Sequence, residues 1–183
     1  MSVRDSHCNF CGAAYADITR YPRKCGACGR EVWANPIPVS VVLVPVHHAG
    51  REGVLVVRRA IEPQRGRLGL VGGFLEEHET WQEGGARETR EETGIVIDVS
   101  SLRPFWFTST EPRPNRVLLF STCAGVDSKS FAPFVPSSET SERGLVFGAR
   151  GLEDVFAFPL HVEATRRYFD SRGVSTAHDY TPV

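Results

Sequence analysis

The chain has no apolar run approaching the roughly 20 residues that a membrane-spanning helix needs. A membrane partner is therefore not expected. Residues 1–10 are polar and carry no signal-peptide core, which makes the cytoplasm the expected compartment. Neither sign of charge is in excess. The formal net charge of the 183 residues is −1, too little to build a field for bulk nucleic-acid binding. Internal repeats are absent as well. What is there is an ordinary composition, 41% hydrophobic, which suits one medium domain with its own core plus one small module.

Cysteine is present where it counts. Cys8-x-x-Cys11 and Cys25-x-x-Cys28 form two knuckles, with glycines at Gly12, Gly26 and Gly29 where such turns need room. Four thiolates at this spacing fit a closed tetrahedral site, a zinc ribbon, in which Zn²⁺ folds the module and does no chemistry. Two disulfides would be the alternative in a secreted protein, and the polar start of the chain argues against it. Residues 1–38 carry Arg4, Arg20, Arg23, Lys24 and Arg30 against Asp5, Asp17 and Glu31. Four thiolates around one Zn²⁺ cancel that small basic excess, so packing or dimerisation is expected of the ribbon rather than nucleic-acid binding. Cys123, alone in an apolar run, reads as a core residue.

The stretch from Gly73 to Gly94 organises the rest. Thr80 and Glu83 form a capping box, and Gly94 is a helix stop, so the spacing predicts a helix over Thr80 to Thr93. At about 100° per residue, Glu88, Glu91 and Glu92 share one face. Glu88 and Glu92 repel across one turn, and a cation between them removes that cost. Such an oxygen cluster suits Mg²⁺ or Mn²⁺; a solvated acidic face is the bland alternative. Gly84 and Gly85 each weaken the helix by up to about 1 kcal/mol, which implies a close approach to its backbone. Arg58, Arg59, Arg65 and Arg67 precede the glycine turn and are candidates for substrate phosphate.

Gly73, Glu79, Arg87-Glu88, Glu91-Glu92 and Gly94 stand at spacings that resemble the signature of the Nudix hydrolases. Thr89 stands where an aliphatic residue is usual, and Val71 where a proline is usual. The resemblance implies an α/β/α sandwich with a mixed sheet, hydrolysis of a nucleoside diphosphate linked to another moiety, and a small-molecule nucleotide as partner. It also suggests a homodimer. Together with the ribbon, and with Pro22-Arg23 and Asn35-Pro36 around the second knuckle, the chain is similar to the branch acting on NADH, FAD or ADP-ribose-like compounds. Arg103-Pro104-Phe105-Trp106-Phe107-Thr108 departs from the motif of the NADH enzymes. Other activities within reach are nucleoside-triphosphate pyrophosphohydrolysis, RNA cap removal and non-catalytic nucleotide binding. Carried onto this chain, the resemblance makes Glu88, Glu92, Glu91 and the Gly72 carbonyl the divalent-metal ligands. It makes Glu142, Glu139 or Glu91 the general base. Arg87, counted with the catalytic residues, is expected to pair with Glu79 or Glu83, each within reach on the helix, the alternative being direct phosphate contact, and Arg58, Arg59, Arg67 and Phe74 are expected to contact substrate.

The remaining segments follow from pattern. Expected are a ribbon over residues 1–36, a catalytic domain over 37–172 and a polar tail over 173–183. Val39–Val46 reads as a buried strand ending at Pro45, His47-His48-Ala49-Gly50 as an exposed turn, and Val54–Arg58 as the returning strand. Ile95–Val99, Phe105–Phe107, Arg116–Thr122 and Leu145–Phe147 read as further strands. The aromatics at 105–107 are expected in the core rather than on a base. Glu111 to Asn115 and Ser128 to Ser138 read as loops, and a last helix runs from Pro159 to about Phe169.

Overall fold

A computed structural model describes residues 5–111 and 115–183. Arg4 of the ribbon charge count and Pro112, Arg113 and Pro114 of the expected loop lie outside the described residues. The chain divides into two compact units, Met1–Pro36 and Ile37–Val183.

In the first unit, β1 (Arg23–Lys24) and β2 (Glu31–Val32) form an antiparallel hairpin around the second cysteine knuckle. Gly12 and Gly29 sit at φ 75° and 71°, where a side chain would be strained, and their N–H groups donate to Cys8 O and Cys25 O. Arg23 is buried. Its guanidinium lies 3.9 Å from the centre of the Tyr21 ring, Nε donates to Arg20 O, and the terminal nitrogens donate to the Asp5 and Ile18 carbonyls. One of the basic residues counted for this segment is therefore an internal brace.

The second unit contains β3 (Ile37–Leu43), β4 (Pro45–His48), β5 (Arg51–Arg59), β6 (Leu68–Gly69), β7 (Val71–Phe74), α1 (Trp81–Thr93), β8 (Arg103–Ser109), β9 (Arg116–Thr122), β10 (Val126–Asp127), β11 (Thr140–Val146), α2 (Pro159–Asp170) and β12 (Tyr180–Pro182). One sheet has the order β7-β3-β9-β8; the other runs β10-β4-β5-β11-β12, with β6 also on β5. Both are mixed, because β3–β9 and β4–β10 are parallel and the other pairs antiparallel. Side chains alternate between faces along a strand. Val41, Leu43, Val54 and Val56 therefore pack with Val162, Tyr168 and Phe169 of α2. Val42, Val44, Leu55 and Val57 pack on the other side, with Trp81 and Ala86 of α1 against that cluster. Burial on both faces is why these strands read as unbroken apolar runs. The result is the expected α/β/α sandwich.

Several local expectations need correction. The strand reaches further than Val39–Val46: it runs from Ile37, breaks at Val44, and resumes at Pro45 in the other sheet. His47 and His48 lie in β4, and the turn is Ala49-Gly50, both at positive φ, as a two-residue hairpin requires. Ile95 to Val99 makes no ladder. Ile95 and Ile97 are buried while Val96 is exposed, so the alternation reflects burial alone. Phe107 is exposed, whereas Phe105 packs near Tyr168 and Trp106 stacks on Phe120. The expected polar tail supplies β12, which pairs with β11. Cys123 is buried, and burial pushes its thiol up to about 11.

Candidate active site

Helix α1 starts at Trp81, with Thr80 as N-cap and both halves of the capping box formed, and ends at Gly94 with φ 74°. Its position is fixed from three directions. Ser40 of β3 donates to Trp81 O at 3.0 Å, Thr140 of β11 donates to Glu92 O at 3.1 Å, and buried Arg143 donates to Thr93 O at 2.7 Å. The last two satisfy carbonyls that a helix C-terminus leaves open. Arg143 also donates to Val183 O and Ala132 O. The two helical glycines have separate reasons. A Cβ at Gly85 would meet Ser40 Oγ at 2.9 Å and Val42 at 3.0 Å, and one at Gly84 would meet Leu75 at 2.4 Å. Thr89, in place of an aliphatic residue, is buried because its hydroxyl donates to Gly85 O.

Arg87 is the hub of the loop before the helix. Nε and Nη2 donate to the two Glu79 oxygens at 3.0 and 2.7 Å. Nη1 reaches Glu88 at 2.9 Å and Glu91 at 3.1 Å, and Nη2 also donates to Phe74 O. Of the two expected partners, Glu79 is the one taken, since Glu83 is engaged by Thr80. Glu79 is held below the usual carboxylate range, chiefly by Arg87.

Glu88 and Glu92 face a cavity of about 690 Å³ that Arg87, Glu139, Gly72 and Gly73 also line. Glu92 accepts from the Gly72 N–H at 3.0 Å. Burial pushes its carboxyl up to about 8, and the charges of Glu88 and Glu139 push in the same direction. Burial also raises Glu88, although Arg87 opposes it. A Cβ on Gly73 would lie 2.2 Å from the Glu88 carboxylate, so this glycine makes room for it. Gly72, at φ 154°, would drive a Cβ to 2.2 Å from Ser40 O.

The remaining expected residues divide. Arg59 and Phe74 line the cavity. Arg58 does not: neighbouring strand residues face opposite ways, and its guanidinium binds Glu142 at 3.0–3.1 Å. Glu142 also accepts from the Tyr180 hydroxyl, which with Arg58 holds it below the usual range. Glu142 is thus turned away from Glu88 and Glu92, and Glu139 is the later glutamate beside them. Arg67 donates to Phe156 O at 3.1 Å, outside this cavity. Glu91 is half-exposed and held by Arg87. Arg116, Thr140 and His161 line the cavity without having been anticipated. No motif marks them, because each reaches the cavity through strand pairing or helix packing.

In the ribbon the four sulfurs converge within 4.8 Å of one another. The Cys8–Cys28 and Cys11–Cys25 separations are 3.8 and 3.6 Å. Tetrahedral ligation at about 2.3 Å requires sulfurs about 3.8 Å apart, so the group fits one metal ion.

Two mixed sheets between two helices, with buried carboxylates where a glycine strand meets a braced helix, define an α/β/α hydrolase-like class of fold and site. The model of the NUDIX domain matches residues 36–147. The chain is 38% identical over 141 residues to a MutT-like protein of Streptomyces ambofaciens, covering 74% of this chain and 88% of that one. It is 34% identical over 113 residues to the NAD-capped RNA hydrolase NudC of Chromobacterium violaceum, covering 61% of this chain and 40% of that one. A NUDIX hydrolase structure from Nitrosomonas europaea superposes with a TM-score of 0.71 at 25% identity, covering 92% of each chain. The chain belongs to the NUDIX family and is a Nudix hydrolase. Among the described residues no helix is long and apolar enough to cross a membrane.

Proposed function

We propose that this protein hydrolyses the pyrophosphate bond of a nucleoside diphosphate linked to another moiety, an ADP-ribose-like or dinucleotide compound such as ADP-ribose, FAD or NADH. The observation that carries the reading is the pair of buried carboxylates, Glu88 and Glu92, with Glu139 facing the same cavity. Buried like charges are costly unless a cation joins them, and Gly73 leaves space beside Glu88 that a side chain would fill. The donor set therefore fits Mg²⁺ or Mn²⁺, held by Glu88, Glu92, the Gly72 carbonyl and, from the half-exposed rim, Glu91. A divalent cation there supplies charge neutralisation for the diphosphate.

The residues of the chain do the rest. Arg87 fixes the loop from Phe74 to Glu79 against the helix, which keeps Glu88 in place. Arg59 offers a cation to the phosphates, and Phe74 with Arg116, 5.6 Å from its ring centre, frames the cavity. Glu139 takes the proton of the attacking water, a role for which Glu142 is occupied by Arg58 and Tyr180. In the ribbon Cys8, Cys11, Cys25 and Cys28 hold a structural Zn²⁺, and elemental analysis should give one zinc per chain.

The test is incubation with ADP-ribose, FAD and NADH in Mg²⁺ or Mn²⁺, with chromatography of products. Release of AMP is expected, and no turnover of any of the three ends the reading. The name of the Chromobacterium relative favours a second reading, removal of a dinucleotide cap from RNA. Faster cleavage of NAD-capped RNA than of free NADH would select it.

A further inference from the structure

Beyond the carboxylates, the cavity extends over an apolar wall that includes Ile61, Leu70, Leu118, Phe158 and Leu160. His161 of α2, only 9% exposed, stands in it, and the Arg59 guanidinium lies over the Phe158 ring at 5.0 Å from its centre. The His161 Nδ1 accepts from the backbone N–H of Leu70 at 3.1 Å. An amide N–H can only donate, so Nδ1 carries no proton and the neutral ring must carry it on Nε2. Burial, aided by Arg59, pushes this imidazole down to about 4, so the neutral form persists at physiological pH. The rings of Phe120 and Phe158 are inclined to the imidazole at 86° and 64°, with centroids at 6.0 and 5.1 Å. Among the described residues no hydrogen-bond acceptor takes the Nε2–H. The Nε2–H is not sealed in protein but accessible at the cavity wall, where a bound ligand can supply its acceptor.

Its placement matches the rest of the site. Leu70 N–H holds His161, and Gly72 N–H holds Glu92. Two residues of extended chain span about 7 Å. His161 and Glu92 are thus anchored at neighbouring points of one segment and line the same cavity. We propose that His161 is a specificity-determining residue whose Nε2–H donates to an unprotonated ring nitrogen of the substrate's adenine, while the apolar wall packs against the rest of the base. This rests on the reading of the protein as an ADP-ribose-like pyrophosphohydrolase and assigns the end of the cavity that recognises the base.

The experiment measures binding of AMP and its 1-deaza, 3-deaza and 7-deaza analogues to the full chain by calorimetry. Each analogue replaces one ring nitrogen with C–H. One of the three should bind at least about 10-fold more weakly than AMP, as for a buried donor left unpaired. In His161→Asn the amide oxygen still reaches the Leu70 N–H, but the deep donor is gone. That variant should lose the discrimination and raise KM for ADP-ribose by about 10-fold, with a smaller effect on kcat. His161→Gln, which returns an N–H near the Nε2 position, should recover part of it. Equal affinity for all four ligands, or no AMP binding at millimolar concentration, overturns the proposal. The same holds if the Nε2–H is spent on the face of Phe158 or Phe120, because all four ligands would then bind alike. Failure to hydrolyse ADP-ribose counts against the function and leaves the binding result to judge His161.

Discussion

A single guanidinium holds most of the signature together. Arg87 touches Glu79, Glu88, Glu91 and the Phe74 carbonyl, and the two bonds to Glu79 need a planar fork. Lysine keeps the charge and loses the fork. Arg87→Lys is therefore expected to lower activity about 10- to 100-fold, as for side chains that orient metal ligands. The loss should be partly recovered by raising Mn²⁺ in steady-state assays. The two later glutamates separate just as cleanly. Glu139→Gln should reduce kcat by about 100-fold or more. Glu142→Gln, which weakens a contact among Arg58, Tyr180 and β11, should show up mainly in thermal stability. If the two variants exchange these phenotypes, the assignment of the base is wrong. Sequence spacing placed both glutamates before one strand, but the side to which each turns depends on the β5–β11 register, in which Glu142 pairs with Arg58.

Within single elements, legibility follows the range of the interactions. Thr80, Glu83 and Gly94 define α1 through bonds three or four residues apart, so its ends can be read from neighbours in the chain. Strand β12 is short, and its existence depends on β11 far away in sequence, which is why its stretch reads as a polar tail. Ile95 and Ile97 alternate as strand residues do, yet only a partner makes a strand. The adjacent glycines of β7 show how close two positions can lie in sequence and differ in consequence. A methyl at Gly72 meets the backbone of β3, which cannot yield; one at Gly73 meets only the end of Glu88. Gly72→Ala should destabilise the fold by about 1–3 kcal/mol in denaturant titration. Gly73→Ala should melt close to the wild type and lose at least about 10-fold in activity, since it displaces the Glu88 carboxylate, which is proposed to hold the metal.

At the scale of the whole molecule, stability is tied to pH through His161. Its folded value, about 4, lies below the ordinary 6.5, so the unfolded chain binds the proton more readily. The stability it contributes is complete above pH 6.5 and is lost as pH falls through 4. Between pH 7 and 4 the wild type should lose about 3 kcal/mol more than His161→Asn in urea unfolding. Equal losses would show that the ring is not held neutral. The same histidine sits where the two sheets part company. The chain from Leu68 to Phe74 leaves one sheet and joins the other, and along it the amides of Leu70 and Gly72 are handed to side chains from the two helices. A side chain can be exchanged by one mutation, but a main-chain amide disappears only if proline replaces its residue. The lining of this cleft is therefore free to drift by substitution, while the two anchor points beneath it stay where the backbone put them.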